Sequence, residues 1–475
     1  MINITLVGAG MGSEDCLTNE VKKLIDQADV VFGAGRLSNP FTDNKVQEVV
    51  DTYSVADLIE WVEKRLDDTE ADWDIVFIYS GDSGFYSGAE KAYSRLKEWS
   101  EDAAKRYPGL QVNIDIKAGI SSVSYLASKL HVSWQDAKLL SLHGRSFEEN
   151  FPKVMEAVRF GEKTFVLLSG AKDAKRLILG LKENAGLKDE KVWLGYKLSY
   201  ADEKVFGVGF GDDRLSEMLE RELEEGLYTV FISNPNPEKK QLSYGVPTDE
   251  YIRVEGVPIT KEEIREIVLS KLRLFEGCTF YDIGSGTGGV TIDVAGVSSG
   301  IKVVAIEKKE ERTALLLENM ARFGLYNIKA FTGSASLILD VYNAFDDNGQ
   351  KSGSEACDVV GIGKDLDTET GNETNDLLGS ERAYIKDNPP DRVFIGGSEG
   401  ELRSIISILK SYQRPVRVCM TAITVETKNE IFKMLDEGMI NAPDIVEVRI
   451  SRLVKLGGQH MMKPENDIMI AAFEV

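Results

Sequence analysis

The stretch TFYDIGSGTGGVTIDVAG, residues 279–296, joins a short apolar strand to an apolar helical run through a glycine-rich turn. The strand ends in Asp282 and Ile283, and Gly284, Gly286, Gly288 and Gly289 let the backbone turn tightly, so that N–H groups meet a ligand at a helix N-terminus. Gly284, Gly286 and Gly289 also satisfy the G-x-G-x-x-G spacing of a dinucleotide site. Glu307, ending the next strand, can bind a ribose hydroxyl in either case. The glycines alone do not choose. Asp282 argues for S-adenosylmethionine, since a carboxylate beside the turn opposes a pyrophosphate but accepts hydrogen bonds from the ammonium of a methionine moiety.

Around this motif the pattern of a mostly parallel sheet repeats. Strands are expected at 279–283, 302–307, 327–331, 392–395, 416–421, 446–449 and 467–473, the late ones antiparallel, as in a seven-stranded Rossmann-like methyltransferase sheet. This domain is expected to begin near residue 246, with Thr260 as N-cap of a helix and Glu263 as its capping-box partner. Residues 345–390, rich in Asp, Glu, Asn, Gly and Ser, read as an acidic surface insertion. Residues 1–245 form a separate α/β domain with lobes at about 1–115 and 116–245. The first alternates strands and helices; the second has closely spaced strands that suggest antiparallel pairing.

The composition excludes several classes. A net charge of −22 repels nucleic acid, and no basic stripe interleaved with aromatics offsets it. No 18-residue apolar run suggests a membrane span, and no basic leader precedes the first strand. Four scattered cysteines lack metal-ligand or disulfide spacing, so a cytoplasmic protein without a structural metal is expected.

The first domain has its own glycine loops at strand ends: Gly8, Gly10 and Gly12; then Asp82, Ser83, Gly84 and Phe85 within SGDSGFYSG (80–88); then Gly119 with Ser121 and Ser122. Three such loops at one sheet edge imply backbone approach to a ligand. His143 is a weak candidate for a catalytic base, and Arg36 and Arg145 are candidates to meet substrate carboxylates or simply to form surface ion pairs.

With these residues in view, the chain resembles the decarboxylating precorrin-6Y C5,15-methyltransferases of cobalamin biosynthesis, in which two methyltransferases are fused. VGAGMGSEDCLT (7–18), FGAGRL (32–37), SGDSGFYSG, GISSVSYLASKL (119–130) and SLHGR (141–145) resemble the C5-methylating tetrapyrrole methylase half. GVPITKEEIR (256–265), DIGSGTGGVTID (282–293), AIEK (305–308), NIKAFTGSA (327–335), DRVFIGGS (391–398) and TAITVET (421–427) resemble the C15-methylating, decarboxylating half. The resemblance implies a two-lobed tetrapyrrole methylase fold followed by a Rossmann-like domain, one S-adenosylmethionine per domain, and a corrinoid substrate. Cobalt enters only as part of that substrate, if the anaerobic route applies. A homo-oligomer is expected.

Carried over residue by residue, the second cofactor site comprises Thr260, Gly284, Ser285, Gly286, Thr287, Gly288, Glu307 and Ala335, with Asp282 beside them. Two residues depart from the family pattern. Ser334 stands where relatives commonly carry Asp, and Ser83 where the usual loop has Pro. Arg449, Arg452 and Lys455 are candidates to grip substrate carboxylates, and His460 is a second weak catalytic candidate. The rival readings are a methyltransferase for RNA or protein, and a chain in which one half serves only as a binding or scaffold domain.

Overall fold

A computed structural model describes residues 1–35, 37, 48–66, 72–183, 189–210, 223–243, 245–340 and 384–475. The chain separates into two compact units, Met1–Lys239 and Lys240–Val475.

The first unit contains two five-stranded sheets. β1 (Ile2–Gly8), β2 (Val30–Gly33), β3 (Glu48–Asp51), β4 (Trp73–Tyr79) and β5 (Val112–Lys117) pair in the order β3-β2-β4-β1-β5, every pairing parallel. The second sheet uses β6 (Lys138–Ser141), β7 (Lys163–Leu168), β8 (Lys191–Tyr196), β9 (Lys204–Gly209) and β10 (Tyr228–Ser233), ordered β6-β7-β10-β8-β9. Only β6 and β7 are parallel there; the other pairings are antiparallel. The physical cause lies in the connections. Parallel neighbours need a crossover, and the helices Asn19–Gln27 and Ala89–Arg106 supply it in the first sheet, whereas β8 and β9 are joined by a short turn.

The second unit holds β11 (Thr279–Ile283), β12 (Lys302–Glu307), β13 (Ile328–Thr332), β14 (Arg392–Ile395), β15 (Arg417–Ala422), β16 (Asn441–Val448), β17 (Ser451–Leu456), β18 (Gln459–Pro464) and β19 (Ile468–Glu474). Seven of these form the sheet β13-β12-β11-β14-β15-β19-β16, parallel up to β15, with β19 antiparallel to both of its neighbours. The interior strand β11, third in that order, is buried at every position, as expected of a strand covered on both faces. The order reverses between β12 and β14 on either side of β11, which places a crevice at the carboxyl end of β11.

Two sequence expectations are corrected. Thr260 does not cap the helix Glu262–Leu272: Lys261 is the N-cap residue and makes no side-chain cap bond. The Thr260 carbonyl accepts from Arg265 Nη1 at 2.5 Å, and Glu263 pairs with Arg452 at 2.6 Å. The acidic insertion ends earlier than 390. Ile385 is buried in the core, and the Asn388 carbonyl accepts the Tyr281 hydroxyl at 2.9 Å. The part of that insertion up to residue 383 lies outside the described residues. The segment carrying Arg452, Lys455 and His460 is an exposed hairpin, β17 paired with β18 about Gly457 and Gly458.

Candidate cofactor sites

The turn after β11 opens onto a cleft of about 490 Å³, bounded by residues 258–261, the glycine turn, Glu307 and Lys308, residues 333–335, the loop 396–401 and residues near 465. Gly284, Gly286 and Gly288 all take left-handed backbone angles, with φ of 70°, 58° and 87°. Their surroundings differ. A methyl group on Gly284 would meet Gly397 O at 2.4 Å, and one on Gly288 would meet Leu316 Cδ1 at 2.1 Å, so those glycines permit close packing. At Gly286 the nearest atom is Pro258 O at 3.8 Å, and this glycine keeps the cleft open.

Glu307, 4% exposed, binds the turn directly: its Oε2 accepts from Gly286 N at 2.9 Å and its Oε1 from Lys309 N at 3.1 Å. Two donors leave about half of the acceptor sites of a carboxylate for a ligand. Asp282, 1% exposed, accepts the Thr291 hydroxyl on Oδ2 at 2.5 Å, while its Oδ1 has no hydrogen-bond partner. Ser285 Oγ and Thr287 Oγ1 are likewise buried and unpartnered. Burial pushes the Asp282 carboxyl up to about 7, the Thr291 hydroxyl partly opposes this, and the Glu307 charge adds to it. Three unpartnered polar atoms at one turn are costly unless a ligand satisfies them.

The wall opposite the turn is fixed by a buried ion pair absent from the sequence reading. Arg265 Nε donates to Asp293 Oδ2 at 2.6 Å, and neither side chain is more than 1% exposed. The Tyr251 hydroxyl donates to Asp293 Oδ1 at 2.8 Å, and Arg265 also reaches the carbonyls of Thr260 and Val246. Together these bonds tie residues 246–260 to the helix Gly289–Val297 and hold Ile259 and Thr260 at the cleft. Past Glu307, Ser334 and Ala335 line the cleft, and the Ser334 hydroxyl is bonded to Glu401.

In the first unit the glycine loops at the ends of β1, β4 and β5 do converge, but largely on one another. Gly10 and Gly81 exchange backbone hydrogen bonds of 3.1 and 2.6 Å. A methyl group on Gly119 would lie 2.3 Å from Gly81 O and 2.4 Å from Gly8 O, and one on Gly12 would meet the Tyr200 ring at 2.4 Å. Asp82 clamps two loops, accepting from Gly84 N at 2.8 Å and Gly119 N at 2.9 Å. The Ser83 hydroxyl donates to Lys117 O at 2.9 Å. Ser121 caps the helix Ser122–Leu130, and Ser122 accepts from the Thr229 hydroxyl. Phe85 packs edge-on against Tyr86, whose hydroxyl donates to Leu139 O.

Of the predicted residues of the second unit, Arg449, Arg452, Lys455 and His460 do not line its cleft. His143 is exposed in the turn after β6, and Arg145 lies over the Tyr86 ring at 5.7 Å. His460 is exposed on β18 opposite Lys455. Arg449 pairs with Glu447 and Asp467, and Arg452 with Glu263 and Glu465, so both act as ion-pair partners within their unit. Arg36 lies outside the described residues. Among the described residues, no cluster of three or more His, Cys, Asp or Glu side chains suited to a metal is present, and no helix is long and apolar enough to cross a membrane.

A family described as Tetrapyrrole (Corrin/Porphyrin) Methylases matches residues 3–212, and one described as Precorrin methyltransferase domain matches residues 252–347. The probable cobalt-precorrin-6B C(15)-methyltransferase (decarboxylating) of Sulfurisphaera tokodaii is 34% identical over 228 residues, 48% of this chain and 95% of that protein. The cobalt-precorrin-6B C(15)-methyltransferase (decarboxylating) of Salmonella typhimurium is 29% identical over 223 residues, 47% of this chain and 92% of that protein. A solved precorrin-6Y C5,15-methyltransferase from Geobacter metallireducens is 22% identical, covering 49% of this chain and 97% of its own, with a TM-score of 0.35. The chain belongs to the decarboxylating cobalt-precorrin-6B C15-methyltransferase family, with a tetrapyrrole methylase domain ahead of its precorrin methyltransferase domain.

Proposed function

We propose that the chain methylates precorrin-6B, or its cobalt form, at both C5 and C15 and removes carbon dioxide from the C12 acetate. Residues 1–245 are assigned the C5 step and residues 246–475 the C15 step with decarboxylation, each using one S-adenosylmethionine. The observation that carries this reading is the set of buried, unpartnered polar atoms on Asp282, Ser285 and Thr287 beside Glu307. A zwitterionic methionine end suits the first three, and a ribose diol suits the free acceptor sites of Glu307.

Bound there, S-adenosylmethionine supplies an electrophilic methyl group. The chain's own residues contribute position and dryness: Glu307 and Asp282 fix the ligand from the sheet edge, Gly286 admits it, and Ile259 and Val290 line the cleft. Orientation of this kind contributes up to roughly 7–11 kcal/mol to an in-line displacement. The arginines at 449 and 452 stay engaged with acids of their own unit, so their role toward substrate carboxylates requires exchange of those partners. Leu453, Leu456, Met461 and Met462 are exposed on the hairpin, which supports self-association. Cys16, Cys278 and Cys419 are free and buried, in keeping with a cytoplasmic enzyme.

A second reading draws on the first unit, whose loop polar groups satisfy one another: that unit binds the corrinoid without methylating it. Incubation with cobalt-precorrin-6B and labelled cofactor separates the two. Two methyl groups and one carbon dioxide per turnover are expected. One methyl with carbon dioxide favours the second reading, and two methyls without carbon dioxide refute the role of residues 246–475.

A further inference from the structure

Past the ribose position, a carboxylate is held at the cleft by two serines. Ser334 Oγ lies 3.0 and 2.9 Å from the two carboxylate oxygens of Glu401, and Ser336 N donates to Oε2 at 3.2 Å. Glu401 comes from the loop after β14 and lines the cleft with Ser334 and Ala335. Partial burial raises its carboxyl, but the hydrogen bonds from Ser334 and Ser336 outweigh this and hold it below the usual carboxylate range, so it is anionic at neutral pH. These donors leave acceptor capacity for one more.

Order along the sheet edge says which ligand group reaches it. β11, β12 and β13 are consecutive parallel neighbours, and strands stand about 4.8 Å apart. Asp282, Glu307 and Ser334 therefore mark three successive strand ends spanning roughly 10 Å, and Glu401 reaches the third from the loop after β14. A ligand with its ammonium at Asp282 and its ribose diol at Glu307 places its base beside Ser334. An anionic acceptor there attracts an exocyclic amino group and repels a carbonyl oxygen.

We propose that Glu401, oriented by Ser334, selects a 6-amino purine over a 6-oxo purine in the second unit's cleft. The inference rests on the reading that this cleft takes S-adenosylmethionine. The competing role for Glu401 is to pin the loop 396–401, which Lys308 and Glu399 also tether at 3.1 Å.

Titration calorimetry of the full chain with S-adenosylhomocysteine and S-inosylhomocysteine tests it. The wild type is expected to prefer the adenosyl ligand at least tenfold at one site, and Glu401→Ala to bring that preference close to one. Glu401→Gln, which keeps the shape and can donate to a carbonyl, is expected to bind the inosyl ligand more tightly than the wild type does. An undiminished preference in both variants, including an equal loss for both ligands, overturns the inference and leaves the cofactor reading standing. Absence of S-adenosylhomocysteine binding to the second unit in the wild type overturns both.

Discussion

In the first unit Gly8 and Gly119 pack against each other and against the Gly81 carbonyl, and Asp82 engages both carboxylate oxygens with Gly84 and Gly119. In the second, Gly286 faces open cleft, and Asp282, Ser285 and Thr287 each keep a buried polar atom without a partner. Both units put glycine and Asp at the carboxyl end of parallel strands, yet one set is satisfied internally and the other is left open to a ligand. The contrast separates two uses of glycine: close packing of loops on loops, and clearance for a bound group.

The sharpest way to break the contrast is Gly119→Ala. The new methyl group meets two backbone carbonyls closer than 2.5 Å, and backbone cannot swing aside, so the loss of stability is expected near the top of the overpacking range, about 3 kcal/mol. Thermal unfolding should show it. An unchanged melting temperature would mean that the three loops do not pack as described.

Asp282→Asn comes next. Losing a charge-assisted hydrogen bond of about 1.5–3 kcal/mol weakens S-adenosylhomocysteine binding to the second unit roughly 10- to 100-fold. The same variant has a stability signature with a definite sign. Asp282 titrates near 7 when folded, above its ordinary value of 3.8. The unfolded chain therefore ionises first, and the wild type loses stability relative to Asp282→Asn as pH rises from about 4 to about 7. Ligand affinity moves the other way, rising as pH passes through 7. Melting curves across that window check the first sign, and calorimetry checks the second.

Gly286→Ala should cost only the left-handed backbone penalty of about 1–2 kcal/mol, since no atom lies within 3.5 Å of the new methyl group. Binding should fall further than stability does, the reverse of Gly119→Ala. The smallest effect belongs to Ser83→Ala, which removes the bond to Lys117 O and is expected to cost about 1 kcal/mol in the first unit. Binding to the second unit should not change.

What the sequence made legible follows the same division. The DIGSGTGG turn and Glu307 were readable because strand, turn and the next strand lie close in sequence, and a Gly286–Glu307 bond joins them in space. Glu401 was not, since its link to Ser334 spans 67 residues and exists only because the loop after β14 reaches the residues after β13, two strands away in the sheet. Ser334 read alone looked like a lost charge; in space its hydroxyl holds one. The buried Arg265–Asp293–Tyr251 group was equally hidden, because nothing in the local pattern marks a charged residue on that helix as buried. The hairpin 451–464 carries a local signal of its own, two six-residue runs around a Gly457-Gly458 turn.

The most direct measurement is the proton balance of S-adenosylhomocysteine binding at pH 7, by calorimetry in buffers of different ionisation enthalpy. A carboxyl pushed up to about 7 by burial is partly protonated there and must ionise when an ammonium docks, so the wild type should release a fraction of a proton at one site. Asp282→Asn should release none. Equal release by the two proteins, or none by the wild type, would contradict the placement of the cofactor's ammonium at Asp282.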